Sequence, residues 1–194
     1  MSMVVREEFS KMRAFLGVTS VQTAADDDLI VTTVDMKVGA YTVAAQPTSP
    51  SKIGVKVTTV GNADTMGTIK FVGTDINNAA IEETIIPISG STVWTTRYFK
   101  TVTSATGAGW VVSADTSKDT IIIGIPATGG IEGRGQGVTF ICLSGIIYIN
   151  PLGTAATTSI KLVAGQAQDL LVSDVLSYIS DGNAATFQCE IWEE

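Results

Sequence analysis

The side chains that could do chemistry are mainly carboxylates, because the chain contains no histidine. A serine–histidine or cysteine–histidine nucleophile is therefore excluded, and so is a zinc site built on histidine. Glu82 and Glu83 could supply the acid and base of a glycosidase, but neighbouring residues of a strand point to opposite faces. Glu190, Glu193 and Glu194 offer a second set near the end of the sequence, where we expect mobility. We predict no catalytic residue and no enzymatic activity.

Three other segments have residue types found in ligand sites. Asp26, Asp27 and Asp28 could collect a hard cation, but a strand would divide them between two faces. Segment 75–78 has alternating oxygen ligands, and its spacing also fits a hairpin turn in which asparagine accepts a left-handed backbone. The glycine-rich run 133–137 departs from the dinucleotide-binding pattern, and a strand pattern follows it in place of a helix. We expect no metal site and no cofactor.

The two cysteines, Cys142 and Cys189, lie in apolar runs that are typical of strands. Two cysteines do not make the disulfide framework of a small secreted domain. We expect both thiols to be reduced, buried and packed as small apolar side chains.

The composition excludes further classes of function. The 194 residues include 12 basic and 19 acidic side chains, which gives a net charge of −7. Neutralising the phosphates of a nucleic acid needs clustered lysine and arginine, so we expect no nucleic-acid partner. No run approaches the roughly 20 apolar residues of a membrane span, and acids stand where a signal peptide has its apolar core. We expect no membrane partner and synthesis in the cytoplasm.

The beginning of the sequence predicts the only helix. Val5, Phe9, Met12 and Leu16 recur at helical spacing, and Gly17 is placed to end the helix. A helix of about three turns would be marginal alone in water, so its apolar stripe must dock on something. We name Phe9, Met12 and Leu16 as candidate partner-docking residues.

The rest of the sequence predicts a mainly β fold. Strand patterns alternate with turn signals about every ten residues, which is typical of sandwiches and barrels. We predict two small antiparallel β-sandwich or jelly-roll-like domains, preceded by the short helix and an extended arm. The predicted divisions are the helix and arm at 1–50, a first β domain at 51–126, a glycine-rich linker at 127–137 and a C-terminal β domain at 138–194.

Aromatic residues mark one long predicted strand, at 93–103. Trp94 and Tyr98 would share one face of it. Together with Trp110 they could stack on a carbohydrate, although core or interface packing is the commoner fate of such side chains. We therefore add Trp94 and Tyr98 to the candidate partner-docking residues.

Several turn phrases form a recognisable pattern in the sequence. They lie at 44–50 running into 53–58, at 69–84, at 99–104, at 150–154, at 162–166 and at 176–186. In texture the first three resemble virion structural proteins of tailed bacteriophages, and the last three are similar to small β domains of phage capsid-surface proteins. The resemblance covers roughly residues 44–192 and leaves out the predicted helix and most of the arm.

The resemblance implies a non-enzymatic virion protein, and we expect a capsid decoration or cement protein. Such a protein binds the outer capsid surface and stabilises contacts between capsomers, so the implied partner is the major capsid protein. We also expect a homo-oligomer, a dimer or trimer, on the outside of a virion assembled in the host cytoplasm. An acidic protein inside the capsid would be repelled by packaged DNA. The alternatives are a tail, neck or fibre-base protein and, more distantly, a carbohydrate-binding module.

Overall fold

The computed structural model describes residues 12–59, 65–111, 119–132 and 136–192. Within these ranges the chain forms antiparallel strands and one 3₁₀ turn, Met36–Val38, and no α-helix. The prediction of a mainly β fold is confirmed. The strands are β1 (Met12–Ser20), β2 (Asp26–Asp35), β3 (Ala40–Tyr41), β4 (Gly54–Thr58), β5 (Thr68–Thr74), β6 (Ala80–Ile85), β7 (Thr92–Trp94), β8 (Thr101–Ala108), β9 (Thr120–Ile125), β10 (Gly129–Glu132), β11 (Gln136–Ser144), β12 (Ile146–Asn150), β13 (Ile160–Val163), β14 (Ala167–Val172), β15 (Val175–Ser180) and β16 (Thr186–Trp192).

The predicted N-terminal helix is not supported. Met12 and Leu16 lie in β1, where they pair with Trp192 and Cys189 of the antiparallel strand β16. An isolated helix of this length is marginal, so hydrogen bonding to an existing sheet outweighs the local helical pattern. Phe9 and the remainder of the predicted helix lie outside the described residues.

Strands β2 to β9 form two four-stranded sheets, which we call the first sheet pair. Their orders are β2-β9-β4-β7 and β3-β8-β5-β6. Alternation places Ile69 and Phe71 of β5 inside and Lys70 outside, as the sequence pattern predicts. Residues from both sheets form one core cluster, and its buried members include Ile30, Ile53, Ile69, Ile81, Ile121, Ile123, Ile125, Phe71 and Phe99.

The remaining strands form a second sheet pair, with orders β1-β16-β11-β14 and β10-β15-β12-β13. Its core is more aromatic. The ring centroids of Phe140 and Phe187 are stacked 4.5 Å apart, and the Tyr178 centroid lies 4.8 Å from that of Phe187. Cys142 and Cys189 are buried free cysteines in the same cluster, which confirms the prediction for both.

The order of strands along the chain interleaves the two sheet pairs. The chain begins the second sheet pair with β1, builds the whole first sheet pair, and returns with β10. The predicted linker 127–137 contains β10 and the beginning of β11. The predicted domain boundaries stay predictions.

The prediction of one long strand at 93–103 is wrong. Strand β7 ends at Trp94 in one sheet, β8 starts at Thr101 in the other, and segment 95–100 crosses between them. The Glu83 carboxylate holds this crossing by accepting hydrogen bonds from the backbone N of Thr96 at 2.8 Å and of Arg97 at 3.0 Å. Trp94 and Tyr98 therefore do not share a strand face.

Direct contacts join the two sheet pairs. The carbonyl of Pro50 accepts hydrogen bonds from the Gly130 N at 3.0 Å and from the Tyr178 hydroxyl at 3.2 Å. Ser51 forms β-bridges to both Phe99 and Gly129. We call this region the junction.

Candidate functional site

An open cleft of about 330 Å³ lies at the junction. One wall carries Lys52, Thr96 and Tyr98 of the first sheet pair, and the other consists of segments 151–154 and 173–175. The walls offer hydroxyl groups, one ammonium group and the Asp174 carboxylate. These are groups that can bind a polar ligand.

Tyr98 is already occupied by structural contacts. Its backbone N donates to Glu132 Oε1 at 3.2 Å, and the Lys52 Nζ lies 5.5 Å from its ring centroid. Its ring rests on Gly130, where a methyl group would overlap it. Burial raises the pKa of the Tyr98 phenol, and the Glu132 and Asp174 carboxylates raise it further. A phenol that keeps its proton is a poor base or nucleophile at neutral pH, and the ring of Tyr98 packs against Gly130 at the junction.

The three candidate aromatic residues do not form one stacking surface. The Trp94 ring lies over Gly54, its partner on β4, and a methyl group at Gly54 would overlap it. Trp110 lies beside Gly107 and packs against the first core, whereas Tyr98 is at the junction. A carbohydrate platform built from these residues therefore does not assemble.

The acidic candidates also occupy separate positions. Asp75 Oδ1 accepts from the backbone N of Asn77 at 2.8 Å, and Asn78 has a φ of 61°, which confirms the predicted left-handed turn. Glu82 lies 2.7 Å from Lys70 Nζ on the surface, while Glu83 holds the crossing segment. The part of the chain that the structure describes contains no group of histidine, cysteine, aspartate or glutamate side chains suited to a metal ion.

Exposed apolar side chains mark the end of the first sheet pair that lies away from the junction, which we call the free end. Val38 lies in the link from β2 to β3, Ile86 and Ile88 in the link from β6 to β7, and Val111 just after β8. Each exposes between 58% and 64% of its surface. Large apolar side chains exposed together at one end of a protein make that end a candidate binding surface.

The predicted docking residues and the free end are different sets. Among the described residues, Met12 and Leu16 lie in β1, while Trp94 and Tyr98 rest on separate glycines. The sequence signal for the free end was the buried Pro87, which ends β6 and leaves isoleucine on both sides in a link. An apolar run of this kind reads as a strand in sequence, so its exposure goes unnoticed.

Comparison of the chain with protein-family models, curated proteins and solved structures found no match. The described ranges include no helix long and apolar enough to cross a membrane.

Proposed function

We propose that this chain is a non-enzymatic structural protein that docks onto a protein shell, as a decoration or cement protein of a tailed-phage capsid. The observation that carries the proposal is the free end, with Val38, Ile86, Ile88 and Val111 exposed on links that the junction leaves uncovered. The major capsid protein is the proposed partner, in line with the resemblance of the sequence to virion proteins.

Each copy would make a modest apolar contact. Repetition of that contact around a closed shell supplies avidity without a large interface per copy. The proposed architecture suits this role, with each sheet pair forming a β-sandwich around the single core cluster that its two sheets share. Two linked sandwiches would span neighbouring capsomers as a stiff bridge.

Charge supports an outer location. The net charge of −7 opposes contact with packaged DNA and favours solubility on the outside of the particle. Exposed ion pairs are individually weak, about 0.2–1 kcal/mol, so apolar contacts would supply most of the attachment. Attachment should therefore survive washing at ~0.3 M salt, where the screening length falls below the ~8 Å of physiological buffer.

The test is reconstitution onto capsids that lack the protein. The double variant Ile86→Asp and Ile88→Asp should lower the number of bound copies severalfold, because two charges would have to be buried at the contact. Leu152→Asp is the control, since Leu152 is 86% exposed but lies on the junction cleft. If the double variant bound capsids in the same number of copies as the wild type, the free end would not be the docking surface.

Two further readouts test the location. Surface labelling and protease should reach the protein on intact particles, and complete protection would overturn the outer location. Images that place the labelled protein only on the tail or neck would favour the tail or neck alternative over capsid decoration.

A further inference from the structure

The second sheet pair has one flank on which two edge strands lie together. Strand β13 is the edge of one sheet and β14 is the edge of the other, and segment 164–166 connects them. No strand of the described ranges pairs with their outer sides. We call these two strands the β13–β14 flank.

Each strand of this flank carries a single charge, fewer than the edge strands β6 and β2 carry. Proteins discourage edge-to-edge pairing with charges, prolines or bulges. The edge strand β6 carries Glu82, which pairs with Lys70 of β5, and the edge strand β2 begins with three aspartates. The β13–β14 flank instead exposes large apolar side chains, namely Ile160, Val163 and Leu171.

The two charges on the flank are complementary to one another. Lys161 is exposed on β13 and stands opposite Tyr148, whereas the neighbouring Leu162 points into the core. Asp169 is exposed on β14, and its Oδ1 accepts a hydrogen bond from Thr139 Oγ1 at 2.7 Å. Each edge strand therefore presents one outward charge, of opposite sign to that of the other.

We infer that the β13–β14 flank is a self-complementary interface between two copies of this chain. The backbone N of Gln166 donates to the carbonyl of Val163 at 3.0 Å, and this β-turn reverses the direction of the chain between β13 and β14. A two-fold axis parallel to them therefore places β14 of the second copy antiparallel to β13 of the first. Both sheets then continue across the interface, and the two contacts are identical, as a two-fold interface requires.

The side-chain pattern selects one register. Pairing Lys161 with Asp169 of the second copy also pairs Val163 with Ala167 on the same outer face. It sets Leu162 opposite Gln168, both of which alternate to the inner face. The competing arrangement pairs β14 with β14 and brings the two Asp169 side chains near each other, and like charges on facing strands are destabilising.

The test is the mass of the purified chain in solution, measured by light scattering and sedimentation over a range of concentrations. We expect a reversible dimer with twice the 20.3 kDa mass of the chain. A chain that stays monomeric at ~100 times the concentration used for particle binding, or one that forms a trimer, would overturn the interface.

Charge reversal tests the register. Lys161→Asp and Asp169→Lys should each raise the dimer Kd about tenfold, because each disturbs both symmetric pairs. Combining them restores opposite charges and should bring the Kd back towards that of the wild type. Failure of the double variant to recover would overturn this register.

An exposure-matched pair separates the flank from a general surface effect. Leu171→Asp should weaken the dimer, whereas Ile86→Asp should not, although the side chains are 63% and 64% exposed. Equal weakening by both would overturn the assignment to this flank. The inference goes beyond the proposed shell-binding role, and these measurements use no particles, so either can fail without the other.

Discussion

The two sheet pairs share a four-plus-four strand arrangement but fill their cores differently. The first core is rich in isoleucine, and its Phe71 and Phe99 meet edge to face with centroids 6.3 Å apart. The second concentrates its packing in the Phe140, Tyr178 and Phe187 rings and adds two thiols. Packing is thus distributed over many branched side chains in one core and depends on a few rings in the other.

The sheet pairs also differ in how the chain closes them. Strands β2 to β9 of the first are continuous in sequence, whereas the second needs β1 from the beginning and β16 from the end. Closing a long loop costs conformational entropy before its contacts form. The second sheet pair therefore forms only after β1 and β16, which are far apart in the sequence, have come together.

The largest expected effect comes from removing one ring of the second core. Phe187→Ala should lower the free energy of unfolding by about 3–5 kcal/mol, because it leaves a cavity beside two other rings. Ile123→Val in the first core should cost only about 0.5–1.5 kcal/mol, since one methyl group is lost among many. Denaturant unfolding measures both, and a loss for Phe187→Ala no larger than that for Ile123→Val would show that the second core does not depend on this ring.

A second comparison uses two glycines that support aromatic rings. Gly129→Ala would drive a methyl group into the ring of Tyr178, which is fully buried and cannot move away, and should cost about 1–3 kcal/mol. Gly54→Ala meets Trp94, which is 37% exposed and can turn outwards, so its cost should be smaller. Thermal unfolding of the two variants checks the order, and a larger loss for Gly54→Ala would contradict it.

Alkaline pH should lower the free energy of unfolding through a different buried group in each sheet pair, with a smaller effect than these substitutions. Burial raises the pKa of Cys189 from 9.0 to about 12, and burial raises that of Tyr41 in the first sheet pair from 10.0 to about 12. The unfolded chain releases each of these protons at a lower pH than the folded chain does. The stability that each buried group contributes is therefore present in full below its unfolded pKa and is lost as pH rises towards 12. The thiol begins this loss about one pH unit before the phenol.

Unfolding free energies measured at pH 8, 9.5 and 11 test this order. Cys189→Ala should reduce the loss from pH 8 to 9.5, whereas Tyr41→Phe should reduce it only between 9.5 and 11. If Cys189→Ala left the first interval unchanged, the buried thiol would not be the source of the early loss.

The smallest expected effect is at the edge of the first sheet pair. Glu82→Gln removes the exposed ion pair with Lys70 and should change the free energy of unfolding by about 0–1 kcal/mol. Asp27→Asn, at an exposed aspartate of β2, is the control for a change in net charge. If the unfolding free energies of the two variants differed by more than ~1 kcal/mol, the Lys70–Glu82 pair would stabilise this edge more than an exposed ion pair should.

Local pattern predicted much of the fold correctly. Alternation identified strands such as β4 and β5, and the composition of segment 75–78 identified a turn with Asn78 in the left-handed region. Local pattern failed where a distant partner decided the outcome. Met12 and Leu16 fit a helical stripe in sequence, but in the structure they pair with β16. Segment 93–103 reads as one strand in sequence, but hydrogen bonds to Glu83 hold its middle as a crossing between two sheets.

The candidate sites show the same division. Trp94 and Tyr98 could be chosen from sequence because aromatic residues in a β segment attract attention. The glycines on which they pack, Gly54 and Gly130, could not be chosen from sequence. Gly54 contacts Trp94 on a neighbouring strand, and Gly130 contacts Tyr98 across the junction. The exposure of Ile86 and Ile88 was also missed, because the isoleucine-rich run around Pro87 otherwise reads as a continuation of the strand.

The sequence by itself determined the β character, the turns, the reduced cysteines and the absence of histidine chemistry, because each depends on residue type or on neighbours along the chain. Only the tertiary structure decided the interleaving of the two sheet pairs, the free end and the β13–β14 flank. These depend on which strands become edges and which links stay uncovered. Pairing between strands that are distant in the sequence, such as β4 with β9 and β11 with β16, settles both, and no local periodicity encodes it.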